Sequence, residues 1–141
     1  VLQLAGKARP RELQENATKV FPNYHVYQFL TEEMKDAYAI ANVVVARAGF
    51  ASITELAALG KACIFVPMAG THQEANTRLL VNNKAAIVLD EQVDNGLKLA
   101  RIVADLIELH ETREYLGKRL QTVLPPAAPG RVVDIIHAIA S

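Results

Sequence analysis

Short β-rich runs alternate with helical segments along most of the chain, and this alternation restricts the fold more than any other feature. VLQLA (1–5) is an apolar strand-like run, RELQENATKV (11–20) suits a helix, and FPN (21–23) breaks it. HVYQF (25–29) reads as a strand. TEEMKDAYAIA (31–41) reads as a helix with Thr31 as N-cap and two glutamates in its positive first turn. NVVVA (42–46) is a β-branched run suited to a strand buried on both faces, and ACIFVP (62–67) is a second buried strand. Between them SITELAAL (52–59) reads as a helix stopped by a left-handed Gly60. HQEANTRLLVNN (72–83) is a further helix and AAIVL (85–89) a further strand. Residues 95–140 read as two or three helices broken at LPPAAPG (124–130). Strand–helix repetition with short loops predicts an α/β fold, a Rossmann-like parallel sheet flanked by helices through right-handed crossovers. In such sheets ligands sit beyond the carboxyl ends of the strands. That rule selects three loops: Leu30–Thr31, Arg47–Ala51 and Met68–Thr71.

Composition excludes several function classes. At 141 residues the chain reads as a single domain, 1–141, able to bury a real core. Fifteen basic and fifteen acidic residues give a formal net charge of zero, which argues against a nucleic-acid partner. One cysteine excludes a disulfide framework and a cysteine-based zinc cluster, and Cys63 in its apolar strand reads as a small core residue. His25, His72, His110 and His137 form no H-x-x-x-H or H-E-x-x-H pair, which gives a metal site little support, and no cofactor is expected. His110 and His137 read as surface or packing residues. No G-x-S-x-G elbow is present. No apolar run approaches bilayer length and no signal sequence is legible, so the expectation is a cytoplasmic domain. A first residue, Val1, that already lies within a strand reads as a piece of something longer.

Each loop supports two readings. Arg47-Ala48-Gly49-Phe50 runs from a buried strand into a helix near Ser52. A helix start exposes unpaired N–H groups, and a glycine before it admits a ligand close to backbone, which suits a phosphate. An ordinary βα turn has the same pattern. Ser52-Ile53-Thr54-Glu55 fits a capping box, in which Glu55 reaches back to the Ser52 N–H. The same carboxylate is placed to accept hydrogen bonds from ribose hydroxyls. Thr71-His72-Gln73-Glu74 is a second capping box. It leaves His72, Gln73 and Asn76 at a helix start, either as solvated polar residues or as amides that read sugar hydroxyls. Arg47 either contacts phosphate or braces its loop through carbonyls or an acid.

Together these loops resemble the MurG family of N-acetylglucosaminyltransferases, in glycosyltransferase family 28. The resemblance is densest in VVVARAGFASITELAALGKACIFVPMAGTHQEANTRLLVNNKAAIVL (43–89). The family pattern there is a strand, R-[SA]-G-A-x-[ST]-x-x-E, a helix with A-x-G-[KL]-P, the strand I-x-[VI]-P and a loop ending in H-Q-x-x-N. VYQFLTEEMKDAYAIAN (26–42) is similar to V-x-x-F-I-x-x-M-x-x-A-Y-x-x-A-D, and LQLAGK (2–7) to an H-Q-x-G-K strand end.

The resemblance implies most of the carboxyl-terminal, UDP-GlcNAc-holding half of a two-domain GT-B transferase. Phe29 and Leu30 would then frame the uracil. Gly49, Phe50, Ala51 and Ser52 would wrap the pyrophosphate, and Glu55 would bind the ribose. Gln73 and Asn76 would read the GlcNAc ring, with His72 beside them. The implied partners are UDP-GlcNAc and, through an absent amino-terminal domain, the lipid I acceptor and the cytoplasmic membrane face. The implied reaction converts lipid I to lipid II by inversion, with no catalytic residue in this chain and no transfer by it alone. The sequence departs from the family pattern at several points. A first strand with a Gly-Gly-Ser loop would precede Val1, the strand-end histidine is replaced in Gln3-Leu4-Ala5-Gly6-Lys7, and Phe50 and Ala62 replace alanine and proline. Two alternatives stand beside this reading: another GT-B enzyme acting on a UDP-sugar, and a non-catalytic binding module with a degraded site.

Overall fold

The computed structural model describes residues 1–6, 16, 19–126 and 130–140. They fall into two compact units, Val1–Ala41 and Asn42–Ser141.

In the first unit β1 (Leu2–Leu4) pairs in parallel with β2 (His25–Tyr27), Leu2 opposite His25 and Leu4 opposite Tyr27. The ladder continues past the strand ends, with Ala5 N–H donating to the Tyr27 carbonyl at 2.8 Å and Gly6 N–H to that of Gln28 at 2.9 Å. The expected helix over 11–20 lies largely outside the described residues. Helix α1 (Met34–Ile40) starts later than its sequence predicts. Its N-cap is Glu33, without a side-chain cap bond, so Thr31 is not the cap. Thr31 instead sits in the preceding turn, where its carbonyl accepts from Met34 N–H at 3.2 Å. Glu32 and Glu33 therefore precede the helix, and Asp36 is the acid in its first turn.

The second unit is a three-stranded parallel sheet in the order β3 (Val43–Ala46), β4 (Ala62–Phe65), β5 (Ile87–Val88). Helices α2 (Phe50–Ala58), α3 (His72–Asn82), α4 (Gly96–Glu108), α5 (His110–Val123) and α6 (Arg131–Ala140) complete it. The central strand meets expectation: Ala62, Cys63, Ile64 and Phe65 are all buried, as a parallel strand flanked on both sides requires. The β3 reading needs correction. Val43, Val44 and Ala46 are half-buried and Val45 is exposed, and among the described residues β3 pairs with β4 alone, at an edge of this three-stranded sheet.

The core gathers around β4. Ala62, Ile64, Leu89, Leu106 and Leu116 form one buried cluster, flanked by Val43, Val66, Ile87, Leu99, Ile102 and Val103. Helix α5 packs on β4, α4 on β3 and α3 on β5. Arg113 of α5 donates to the carbonyls of Leu106 and Ile107, which satisfies acceptors at the end of α4. Gly60 ends α2 as the sequence predicts. Its φ is +62°, its N–H donates to the Ala57 carbonyl at 3.0 Å, and Lys61 N–H reaches the Leu56 carbonyl at 3.2 Å. These two bonds define a Schellman stop. Among the described residues no helix is long and apolar enough to cross a membrane.

Candidate functional site

The loops after β3 and β4 are built around each other. Helix α2 begins at Phe50 with Gly49 as its N-cap, in an extended conformation (φ −66°, ψ 139°). The first helical bond runs from Ile53 N–H to the Gly49 carbonyl at 3.0 Å. Ser52 is therefore the third helical residue and not the N-cap that a Ser52–Glu55 capping box would require. A glycine cap has no side chain to accept from the first turn. The N–H groups of Phe50, Ala51 and Ser52 consequently open the helix with no intrahelical acceptor, at its positive end. Phe50 itself is exposed, Ser52 half-buried, and Glu55 stands on the exposed side of α2.

The loop after β4 is stiffened by its own side chains. Thr71 caps α3, its hydroxyl oxygen accepting from Gln73 N–H at 3.2 Å while donating to the Met68 carbonyl at 2.7 Å. Glu74 accepts from Gly70 N–H at 2.9 Å, one residue before the position an ideal capping box would reach. Gly70 has φ +70°, the left-handed turn glycine permits. The second predicted box is thus present with a shifted carboxylate partner.

Two side chains from the start of α3, its second and fifth residues, then join the loops. Gln73 Oε1 accepts from Ala48 N–H and from Met68 N–H, both at 3.1 Å. Asn76 Nδ2 donates to the Ala48 carbonyl at 3.0 Å. Their i, i+3 spacing puts both amides on one face of the helix. Arg47 makes the third connection. One guanidinium nitrogen donates to the carbonyls of Val66 at 3.2 Å and Pro67 at 3.4 Å, and the other pairs with Glu91 at 2.6 Å. Of its two sequence readings, Arg47 takes the bracing one. The sheet rule selects the loops that hold Ala48 and Met68 without giving either residue a role, and it does not mark Glu91. The one available signal was that a buried loop N–H and carbonyl need partners.

The structure therefore brings Gly49, Phe50, Ala51 and Ser52 together with Gln73 and Asn76 through Ala48. His72 is the exposed first residue of α3. Phe29, exposed, and Leu30, half-buried, lie on the loop between β2 and α1 in the other unit. Cys63 is buried in β4, as expected, with its thiol pushed up to about 12 by burial, which outweighs the lowering by the Lys61 charge. No cluster of three metal-ligating side chains occurs among the described residues.

The family model described as the glycosyltransferase family 28 C-terminal domain matches residues 1–122. Curated relatives carry the name UDP-N-acetylglucosamine--N-acetylmuramyl-(pentapeptide) pyrophosphoryl-undecaprenol N-acetylglucosamine transferase. The one from Flavobacterium psychrophilum is 35% identical over 84% of this chain and 33% of its own length. The one from Porphyromonas gingivalis is 35% identical over 89% of this chain and 35% of its own. The chain thus spans about a third of the relatives it matches. Among solved structures, MurG of Acinetobacter baumannii superposes with a TM-score of 0.78 at 24% identity, covering 97% of this chain and 40% of that one. A glycotransferase of kitacinnamycin gives 0.64 at 19%, over 97% and 42%. These likenesses bear out the expected fold, parallel sheets flanked by helices as in one half of a GT-B glycosyltransferase.

Proposed function

The chain belongs to the glycosyltransferase family 28 C-terminal domain family, and from that premise we propose that residues 1–141 form a UDP-GlcNAc-binding donor domain. The whole protein would be an inverting N-acetylglucosaminyltransferase that converts lipid I to lipid II in peptidoglycan synthesis. The observation that carries the reading is the start of α2 at Phe50–Ser52, without a side-chain cap and fixed against the start of α3 by Gln73 and Asn76. Unpaired N–H groups at a helix start suit a diphosphate, and nearby amides suit hydroxyls that both donate and accept.

In this reading Gly49, Phe50, Ala51 and Ser52 surround the diphosphate, Glu55 accepts from the ribose hydroxyls, and Phe29 and Leu30 frame the uracil. Gln73 and Asn76 meet the GlcNAc ring, with His72 at its side. An acceptor hydroxyl of lipid I attacks the anomeric carbon and gives up its proton to a base outside this chain. The bond from that carbon to the β-phosphate oxygen breaks, UDP departs, and charge growing on the β-phosphate is stabilised by the start of α2. This chain supplies donor binding and no general base. Acceptor binding and contact with the cytoplasmic membrane face belong to the amino-terminal part of the whole protein. No metal, cofactor or nucleic acid enters the scheme.

Calorimetric titration tests the reading. UDP-GlcNAc should bind saturably, UDP-GalNAc more weakly, and Glu55→Ala should weaken UDP-GlcNAc roughly tenfold or more through loss of charge-assisted hydrogen bonds. Equal binding of both sugars would favour another UDP-sugar enzyme. No binding by the folded chain would favour a module with a degraded site. Transfer of GlcNAc to a lipid I analogue by this chain alone would contradict the division of labour.

A further inference from the structure

Ala48 is fully buried in a loop, where neither of its backbone groups has a partner from the sheet ladder. Both are satisfied by side chains 25 and 28 residues away: its N–H donates to Gln73 Oε1, and its carbonyl accepts from Asn76 Nδ2. The polarity of this clamp is forced. Two N–H donors, from Ala48 and Met68, converge on one atom of Gln73, which must be the oxygen. A carbonyl faces Asn76, so its NH2 must turn inward. Beyond the clamp Gln73 retains a donor and Asn76 an acceptor.

Gly49 follows Ala48 directly and caps α2 without a side chain of its own. The location of the first-turn N–H groups at Phe50–Ser52 is therefore set by what holds Ala48. We propose that Gln73 and Asn76 are positioning residues for the diphosphate loop, in addition to any contact they make with the sugar. Truncating either side chain leaves a buried backbone group unpaired, so the loop must shift or admit water. The residues nearest the sugar thereby govern binding of the nucleotide diphosphate itself. This inference rests on the donor-site reading above.

The test has one arm without ligand and one with UDP, which lacks the sugar. In the first, amide exchange at Ala48 and Met68 is followed by NMR on the 141-residue chain. Gln73→Ala should speed both by at least about tenfold, since each loses its acceptor. Gln73→Glu, whose carboxylate still accepts two N–H bonds, should restore protection. Asn76→Ala removes the carbonyl's donor and serves as a second variant if Gln73→Ala does not fold. In the second arm Gln73→Ala and Asn76→Ala should weaken UDP by roughly three- to tenfold, the equivalent of about one hydrogen bond. Unchanged exchange at Ala48 would overturn the clamp. A loss seen with UDP-GlcNAc and not with UDP would overturn positioning in favour of sugar contact alone. If the unaltered chain binds neither ligand while the exchange arm behaves as expected, the donor-site reading itself fails, and the inference falls with it.

Discussion

Gly117 of α5 lies so close to Gly60 at the end of α2 that a β-carbon there would stand 2.1 Å from the Gly60 carbonyl oxygen and 2.9 Å from its carbon. Both neighbours are backbone atoms of the Schellman turn, which cannot swing away as a flexible side chain can. The contact sets how closely α2 approaches α5, and α2 carries the proposed diphosphate loop at its other end.

Gly117→Ala should therefore destabilise the chain by about 1–3 kcal/mol, the usual cost of overpacking. Urea unfolding measures it. Gly96→Ala is the control: nothing lies within 4 Å of its added β-carbon, so stability should hold or rise slightly. Equal midpoints for Gly117→Ala and the unaltered chain would show that the helices separate without cost.

Lys84 is the one described non-glycine residue with positive φ, at 51°. It closes a second Schellman turn, in which Lys84 N–H donates to Val81 and Ala85 N–H to Leu80, both at 2.9 Å. The left-handed conformation costs a side chain about 1–2 kcal/mol, which glycine avoids at some entropic expense. Lys84→Gly should then raise stability by about 0.5–1 kcal/mol. A lower unfolding midpoint would mean that the Lys84 side chain contributes more than its backbone loses.

The alternation of strands and helices was readable because period and β-branching differ sharply between VVVA or ACIF and the helical stretches. Gly60 and Thr71 were readable as helix ends because a left-handed stop and a hydroxyl cap each need a particular residue type. The start of α2 was misplaced because Ser52 is the better cap by residue type, while Gly49 caps through backbone conformation alone. The position of β3 at the edge of its sheet among the described residues, and the exposure of Val45, are tertiary facts that an apolar run does not reveal. The bridge from Gln73 and Asn76 to Ala48 is a tertiary contact, and local spacing gives no sign of it. Helical spacing did put the two amides on one face. Residue types likewise left Arg47 with two readings until its carbonyl partners were seen.

Cys63 makes stability fall at alkaline pH. Below the ordinary thiol value of 9.0 the group is protonated in both folded and unfolded chains and contributes no pH dependence. Above it the unfolded chain releases a proton that burial makes the folded chain keep until about 12. Stability conferred by the buried thiol is thus lost as pH rises from about 9 toward about 12. The difference in unfolding free energy between the unaltered chain and Cys63→Ala should shrink over that range. A constant difference would place the thiol in contact with solvent. The native chain should also resist thiol reagents at neutral pH until it unfolds.

Arg47 and Glu91 divide the brace unequally. Their ion pair is half-exposed, so Glu91→Gln should cost under about 1 kcal/mol. Arg47→Ala also releases the Val66 and Pro67 carbonyls, so it should cost more and should loosen the loop that Met68 joins. Comparing the two variants by urea unfolding and by amide exchange at Met68 separates these contributions. Equal effects would assign the brace to the ion pair alone.

The donor-domain account meets its most direct test in an NMR titration of the folded chain with UDP-GlcNAc, with Glu55→Ala alongside. The account predicts saturable shifts concentrated in residues 29–30, 49–55 and 72–76, weakened in the variant. A well-folded chain whose spectrum stays unchanged through millimolar UDP-GlcNAc would contradict it.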